Sequence, residues 1–101
     1  MKKVFVSQPM KDLSLEQINA ARAEAIEMAT ELCCEVEIIN SVFTDDVESK
    51  NEPLYMLGRS MMLMAEADVV IFCPGWENAR GCRIEHDAAL MYGVGMIVDK
   101  W

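Results

Sequence analysis

The sequence predicts a compact three-layer α/β domain, with a parallel sheet of about four strands flanked by helices. Three observations carry that prediction. Apolar runs of strand length alternate with stretches of helical periodicity along the chain. The run "DVVIFC", residues 68–73, is continuously apolar, as a central parallel strand covered on both faces requires. No linker or low-complexity stretch divides the 101 residues, which are enough for one core and too few for two.

The first element, "KKVFVS" (2–7), is β-branched and aromatic and ends at Gln8-Pro9, where proline cannot continue a ladder. A capping box, Ser14 with Gln17, opens a helix over 14–33, on which Leu15, Ile18, Ala21, Ala25, Met28 and Leu32 recur at helical spacing. "EVEIIN" (35–40) is the second strand, and the polar acidic stretch 41–53 reads as a mobile loop. Residues 54–67, "LYMLGRSMMLMAEA", form a helix with Met or Leu on nearly every face, which points to a partner subunit covering part of it.

After the strand at 68–73, the loop "PGWENARG" leads into a helix, "CRIEHDAALMYG", that ends at Gly93, and "VGMIV" (94–98) is the last strand. Ile84, Ala88 and Met91 suit the core-facing stripe of that helix, while Cys82, Ala89 and Tyr92 fall near Glu85. The order β-α-β-α-β-α-β implies a flavodoxin-like or Rossmann-like arrangement. With the chain stopping at Trp101, the last strand is an edge that calls for dimerisation or a very short strand.

Composition narrows the function classes. A net charge of -8 argues against a nucleic-acid polymer as partner, because phosphate binding needs a surplus of Lys and Arg. The apolar runs are broken well before the roughly 18 residues of a membrane span, and the N-terminus lacks a signal peptide's apolar region, so a cytoplasmic protein without a membrane partner is expected. The four cysteines include an adjacent pair and no CxxC, which favours free thiols over a disulfide framework or a zinc site. Cys82 and His86 are four apart on one helix but have no second ligand cluster, so no metal and no cofactor is expected, and His86 reads as a helix-surface residue.

In an open parallel sheet, ligands bind beyond the carboxyl ends of the strands. "SQPMKD", the loop from Asn40 and "PGWENARG" are delivered there and should line one pocket. Glu85, in the first turn or so of the following helix, is a carboxylate aimed at that crevice or an ordinary helix-dipole acid. Glu77 is a second carboxylate for acid and base work or a solvated loop acid. Arg80 and Arg83 suit a phosphate beside a helix start, although Arg83 with Asp87 also fits an i,i+4 surface pair. Trp76 is either a stacking platform for a planar base or a lid over the core. Ser7, Gln8 and Met10 are placed to orient a ligand, and Ser7 equally to cap the turn.

"KVFVSQPM", the early helix bearing Arg22, and "ADVVIFCPGWENARGCRIEHDAALMYG" together resemble the nucleoside 2-deoxyribosyltransferase-like superfamily, and within it a small phage and bacterial branch. The resemblance covers nearly the whole chain. It implies binding of a nucleoside or nucleotide and hydrolysis or transfer of its N-glycosidic bond, with Glu85, in "IEHDAA", as the nucleophile on the anomeric carbon. It also implies a homodimer or higher homo-oligomer. Ser60 stands where the enzymes carry one sugar-positioning aspartate, and Ala79 stands nearest a second, with Glu77 or Asn78 as substitutes. Those departures leave open a catalytically inactive nucleotide-binding or sensing module, and the Met-rich helix at 54–67 leaves open an oligomeric interaction protein.

Overall fold

A computed structural model describes residues 1–33, 35–40 and 48–98. Its elements are β1 (Lys2–Ser7), α1 (Leu15–Cys33), β2 (Val36–Ile38), α2 (Glu52–Met64), β3 (Val69–Phe72), α3 (Arg80–Met91) and β4 (Gly95–Ile97), with a 3₁₀ turn at Trp76–Asn78 before α3. The four strands are parallel in the order β2-β1-β3-β4. The expected three-layer Rossmann-like architecture is the observed one. Among the described residues no helix is long and apolar enough to cross a membrane.

Strand alternation sorts β1 and β3 between the two faces of the sheet. Val4, Val6, Ile71 and Cys73 pack with Ala25 and Ala29 of α1 on one side. Phe5, Val70 and Phe72 pack with Met64 of α2 and Ala89 of α3 on the other. The first crossover therefore covers one face and the next two cover the opposite face. Between β1 and β3 the chain changes direction across the sheet, and the register Val4↔Val69 to Ser7↔Phe72 keeps these two strands paired to their ends.

The ends of the helices follow their capping chemistry. In the reciprocal box of α1, the Gln17 backbone N–H donates to Ser14 Oγ at 3.1 Å and the Ser14 N–H donates to Gln17 Oε1 at 2.9 Å. α2 starts two residues before Leu54, because the Asn51 side chain accepts from the Leu54 N–H and Pro53 tolerates the first turn. α3 ends where Gly93 takes a left-handed φ of 71° and the Val94 N–H closes back onto the Ala89 carbonyl at 2.9 Å. The expected loop at 41–53 is shorter at its end than the sequence implies, since α2 takes its last two residues, and 41–47 lie outside the described residues.

The rotation of α3 differs from the expected one. Cys82, Glu85 and Ala89 are its buried residues, whereas Ile84 is 41 % and Met91 82 % exposed. Ala88 is half-buried and Tyr92, just past the helix, is 86 % exposed. The physical reason lies in the sheet: Phe5 and Phe72 already fill this layer, so α3 settles with its small Cys82 and Ala89 side chains inward. The carboxylate between them turns inward too.

Ala25 and Ala29 are both fully buried and leave no room under α1. Ala25→Leu should therefore lower the unfolding free energy by about 1–3 kcal/mol, the usual cost of overpacking. Ala23→Leu, on the exposed side of the same helix, should change it by less than about 0.5 kcal/mol; urea unfolding of both variants checks the assignment.

Candidate active site at the end of β1 and β3

Ser7 is the last residue of β1, and its carbonyl accepts the Cys73 N–H at 2.9 Å, which carries the β1–β3 pairing past Phe72. Alternation places the Ser7 side chain on the same face as Phe5, the face covered by α3. Its hydroxyl donates to Glu85 Oε1 at 3.2 Å, within a buried pair 78 residues apart in sequence. Glu85 stands in the second turn of α3, and the backward tilt of helical side chains brings its carboxylate to the strand end. It is 7 % exposed, and Oε2 is buried with no hydrogen-bond partner among the described residues.

Burial pushes the Glu85 carboxyl up to about 7, against the opposing effect of the Ser7 hydrogen bond. A carboxyl raised in this way towards neutrality suits a carboxylate nucleophile or a proton-transfer group. The neighbouring thiols have no such balance. Burial pushes Cys82 up to about 11, even with Ser7 hydrogen bonding in opposition, and pushes Cys73 up to about 12. Both remain protonated at neutral pH, so neither competes with Glu85 as the reactive group.

Gln8 follows Ser7 and turns to the other side of the crevice. Its Nε2 donates to the Ile18 carbonyl of α1 at 2.9 Å, and its Oε1 is buried without a partner among the described residues. Arg22, on the inward stripe of α1 with Ile18, Ala25 and Ala29, donates from Nη2 to the Ile39 carbonyl at 3.1 Å. Burial lowers its pKa, with the Cys73 site acting in the opposite direction. This cation braces the segment after β2 against α1. A basic residue within an apolar helical stripe is the signal in the sequence that locates it.

The 3₁₀ turn carries Trp76 onto the ring of His86, with centroids 4.3 Å apart and planes 19° from parallel. Phe72 lies against both, 5.6 Å from Trp76 and 5.3 Å from His86. His86 is accordingly no plain helix-surface residue. Its ring is packed among aromatics, and Nδ1 lies 3.5 Å from the exposed Asp87 carboxylate. The stack closes the β3–α3 connection over the first turns of α3, and one face of Trp76 is occupied by it.

The remaining expected residues are placed elsewhere. Glu77, Asn78 and Arg80 are exposed and line an open groove of about 420 Å³ with Arg83, Ile84 and Asp87, on the outer side of the start of α3. Ser7, Gln8 and Glu85 are not among its walls. Met10 is exposed, and its carbonyl closes a turn by accepting the Leu13 N–H at 3.3 Å. Ser60 is half-buried on α2. The segment expected to join the pocket after Asn40 lies outside the described residues. Among the described residues no three His, Cys, Asp or Glu side chains come together as a metal site.

The raised Glu85 pKa fixes the sign of a stability effect. An ordinary carboxyl at 4.5 in the unfolded chain becomes one at about 7 in the fold. The folded state therefore holds the extra proton between those values, and the stability linked to it is lost as pH rises through 7. Glu85→Gln should be more stable than the wild type by up to about 3 kcal/mol at pH 8, with the difference shrinking towards pH 5. Denaturant titrations at the two pH values measure it, and a difference independent of pH would contradict a buried, ionising carboxylate.

No curated protein and no solved structure matches the chain. Residues 2–98 match the family profile described as "Domain of unknown function (DUF4406)", and the chain belongs to that family.

Proposed function

We propose that the protein binds a nucleoside or nucleotide beyond the ends of β1 and β3 and hydrolyses or transfers its N-glycosidic bond, with Glu85 as nucleophile. The observation that carries this reading is the buried carboxylate held by Ser7 through one oxygen, with the other oxygen unpartnered, at the crevice end of a parallel sheet. Holding Oε1 orients the group, and the free Oε2 is the oxygen that attacks. It forms a bond to the anomeric carbon on the face opposite the base, while the carbon–nitrogen bond breaks and its electron pair leaves with the base. The departing base takes a proton from solvent or from an acid. Water or a second base then displaces Glu85 from the glycosyl ester, which restores the carboxylate.

Ser7 steadies the carboxylate and disperses its charge, and Gln8 stands beside it at the crevice wall. Trp76 and His86 hold the β3–α3 connection closed above α3. Glu77, Asn78 and Arg80 enter the reaction only for a ligand that extends from the crevice into the outer groove, where Arg80 suits a phosphate. The protein works in this reading as a homo-oligomer in the cytoplasm, and exposed Leu54, Tyr55 and Met62 on α2 are apolar surface available to a second copy.

A second reading, nucleotide binding without chemistry, is favoured by the position of Glu77. It lines the outer groove instead of standing against Glu85 as a paired acid. Free-base release from nucleosides, deoxynucleosides and their monophosphates, followed by chromatography, separates the two. Glycosidic cleavage requires base release that falls by at least about a thousandfold in Glu85→Ala. Thermal stabilisation by a nucleotide with no base released supports the binding module. For the enzyme, kcat/KM should rise with pH through about 7 as the free enzyme's Glu85 ionises; a rate that falls over the same interval would assign Glu85 as an acid.

A further inference from the structure

The crevice at the change of direction in the sheet has two walls. α1 leaves β1 over one face and α3 leaves β3 over the other, so the gap beyond the β1–β3 pair lies between them. Each wall presents a buried acceptor with no donor. On the α3 side it is Glu85 Oε2; on the α1 side it is Gln8 Oε1, on a side chain that is also only 7 % exposed. Buried oxygens without partners are uncommon in folded proteins, and one on α3 held against Ser7, with another on Gln8 directly after Ser7, mark a place that a ligand completes.

The chemistry of Gln8 decides what kind of ligand group it meets. The Ile18 carbonyl can only receive a hydrogen bond, so the amide nitrogen must face it, and the amide carbonyl is left over. That oxygen attracts an O–H or N–H and repels a phosphate oxygen, a carboxylate or a base carbonyl. Gln8 is one residue from Ser7, and Ser7 holds the carboxylate assigned above to the anomeric carbon. Attack there comes from the sugar face opposite a β-linked base. The 2′ and 3′ hydroxyls of a β-ribonucleoside project from that same face.

Resting on the glycosidic reading, we propose that Gln8 is a specificity-determining residue whose side-chain carbonyl accepts a hydrogen bond from the 2′ or 3′ hydroxyl of a bound β-nucleoside or nucleotide. The sugar, not the base or phosphate, is the part of the ligand selected at this wall. The Ile18 contact holds the amide in the one orientation that makes such a selection.

Isothermal titration tests this with the four ribonucleoside 5′-monophosphates and their 2′-deoxy, 3′-deoxy and 2′,3′-dideoxy counterparts, against the wild type and Gln8→Met. The wild type should bind hydroxyl-bearing members at least about tenfold more tightly than the dideoxy members. The two monodeoxy series identify which hydroxyl is used. Gln8→Met, of similar length but without the acceptor, should bind the series alike. Nucleotide binding with no discrimination by the wild type, or with equal discrimination by both proteins, overturns the role of Gln8 and leaves the nucleotide reading intact. No binding by any member of the panel overturns both. If Gln8→Met does not fold, Gln8→Leu, which also lacks the acceptor, takes its place in the comparison, and a wild type without discrimination overturns the role of Gln8 by itself.

Discussion

A single carboxylate buried against the end of a parallel sheet organises one end of this molecule. Glu85 is where α3 meets β1, and its partner is the last hydroxyl that β1 can offer. Every nearby feature either makes that burial possible or is left incomplete by it. The small Cys82 and Ala89 side chains let α3 approach, the Phe5 and Phe72 rings exclude water from the layer, and one carboxylate oxygen remains without a donor. Desolvation of this kind works against stability, and folds tolerate it chiefly at functional sites.

The supporting structure is concentrated on the same end of the sheet. The pairing of β1 with β3 reaches through Ser7 to the Cys73 N–H, so the residue that holds Glu85 is itself fixed by the ladder. Phe72, Trp76 and His86 form an aromatic stack that ties the β3–α3 connection to the helix carrying Glu85. On the opposite wall, Gln8 and Arg22 anchor the β1 end and the segment after β2 through backbone carbonyls of Ile18 and Ile39. A rigid strand end, a clamped helix and an adjoining crevice are the arrangement from which a positioned reactive group is built.

Much of the fold was legible because the signals are local. The "DVVIFC" run, the Ser14–Gln17 box and Gly93 each act within a few residues of themselves, and each stands where its local chemistry dictates. The rotation of α3 was not legible: Ile84 and Met91 offer a more apolar stripe than Cys82, Glu85 and Ala89, and the choice between them is made by the volume already filled by Phe5 and Phe72. His86 misled for the same reason, since the rings that enclose it come from β3 and the 3₁₀ turn. Glu85 was identifiable as a crevice acid from its place on the helix, but its hydrogen bond to Ser7 joins residues at opposite ends of the chain. Glu77 and Arg80, within eight residues of Glu85 in sequence, face the open groove, whereas Glu85 turns to the sheet.

The fold holds Glu85 as a desolvated carboxyl that burial raises towards neutrality. The direct measurement is an NMR titration of the Glu85 side-chain carboxyl carbon in the intact protein, assigned by comparison with Glu85→Gln. A midpoint near 7 is the predicted result. A midpoint in the ordinary glutamate range, near 4.5, would mean that water reaches the carboxylate and that the buried Ser7–Glu85 pair does not organise the site.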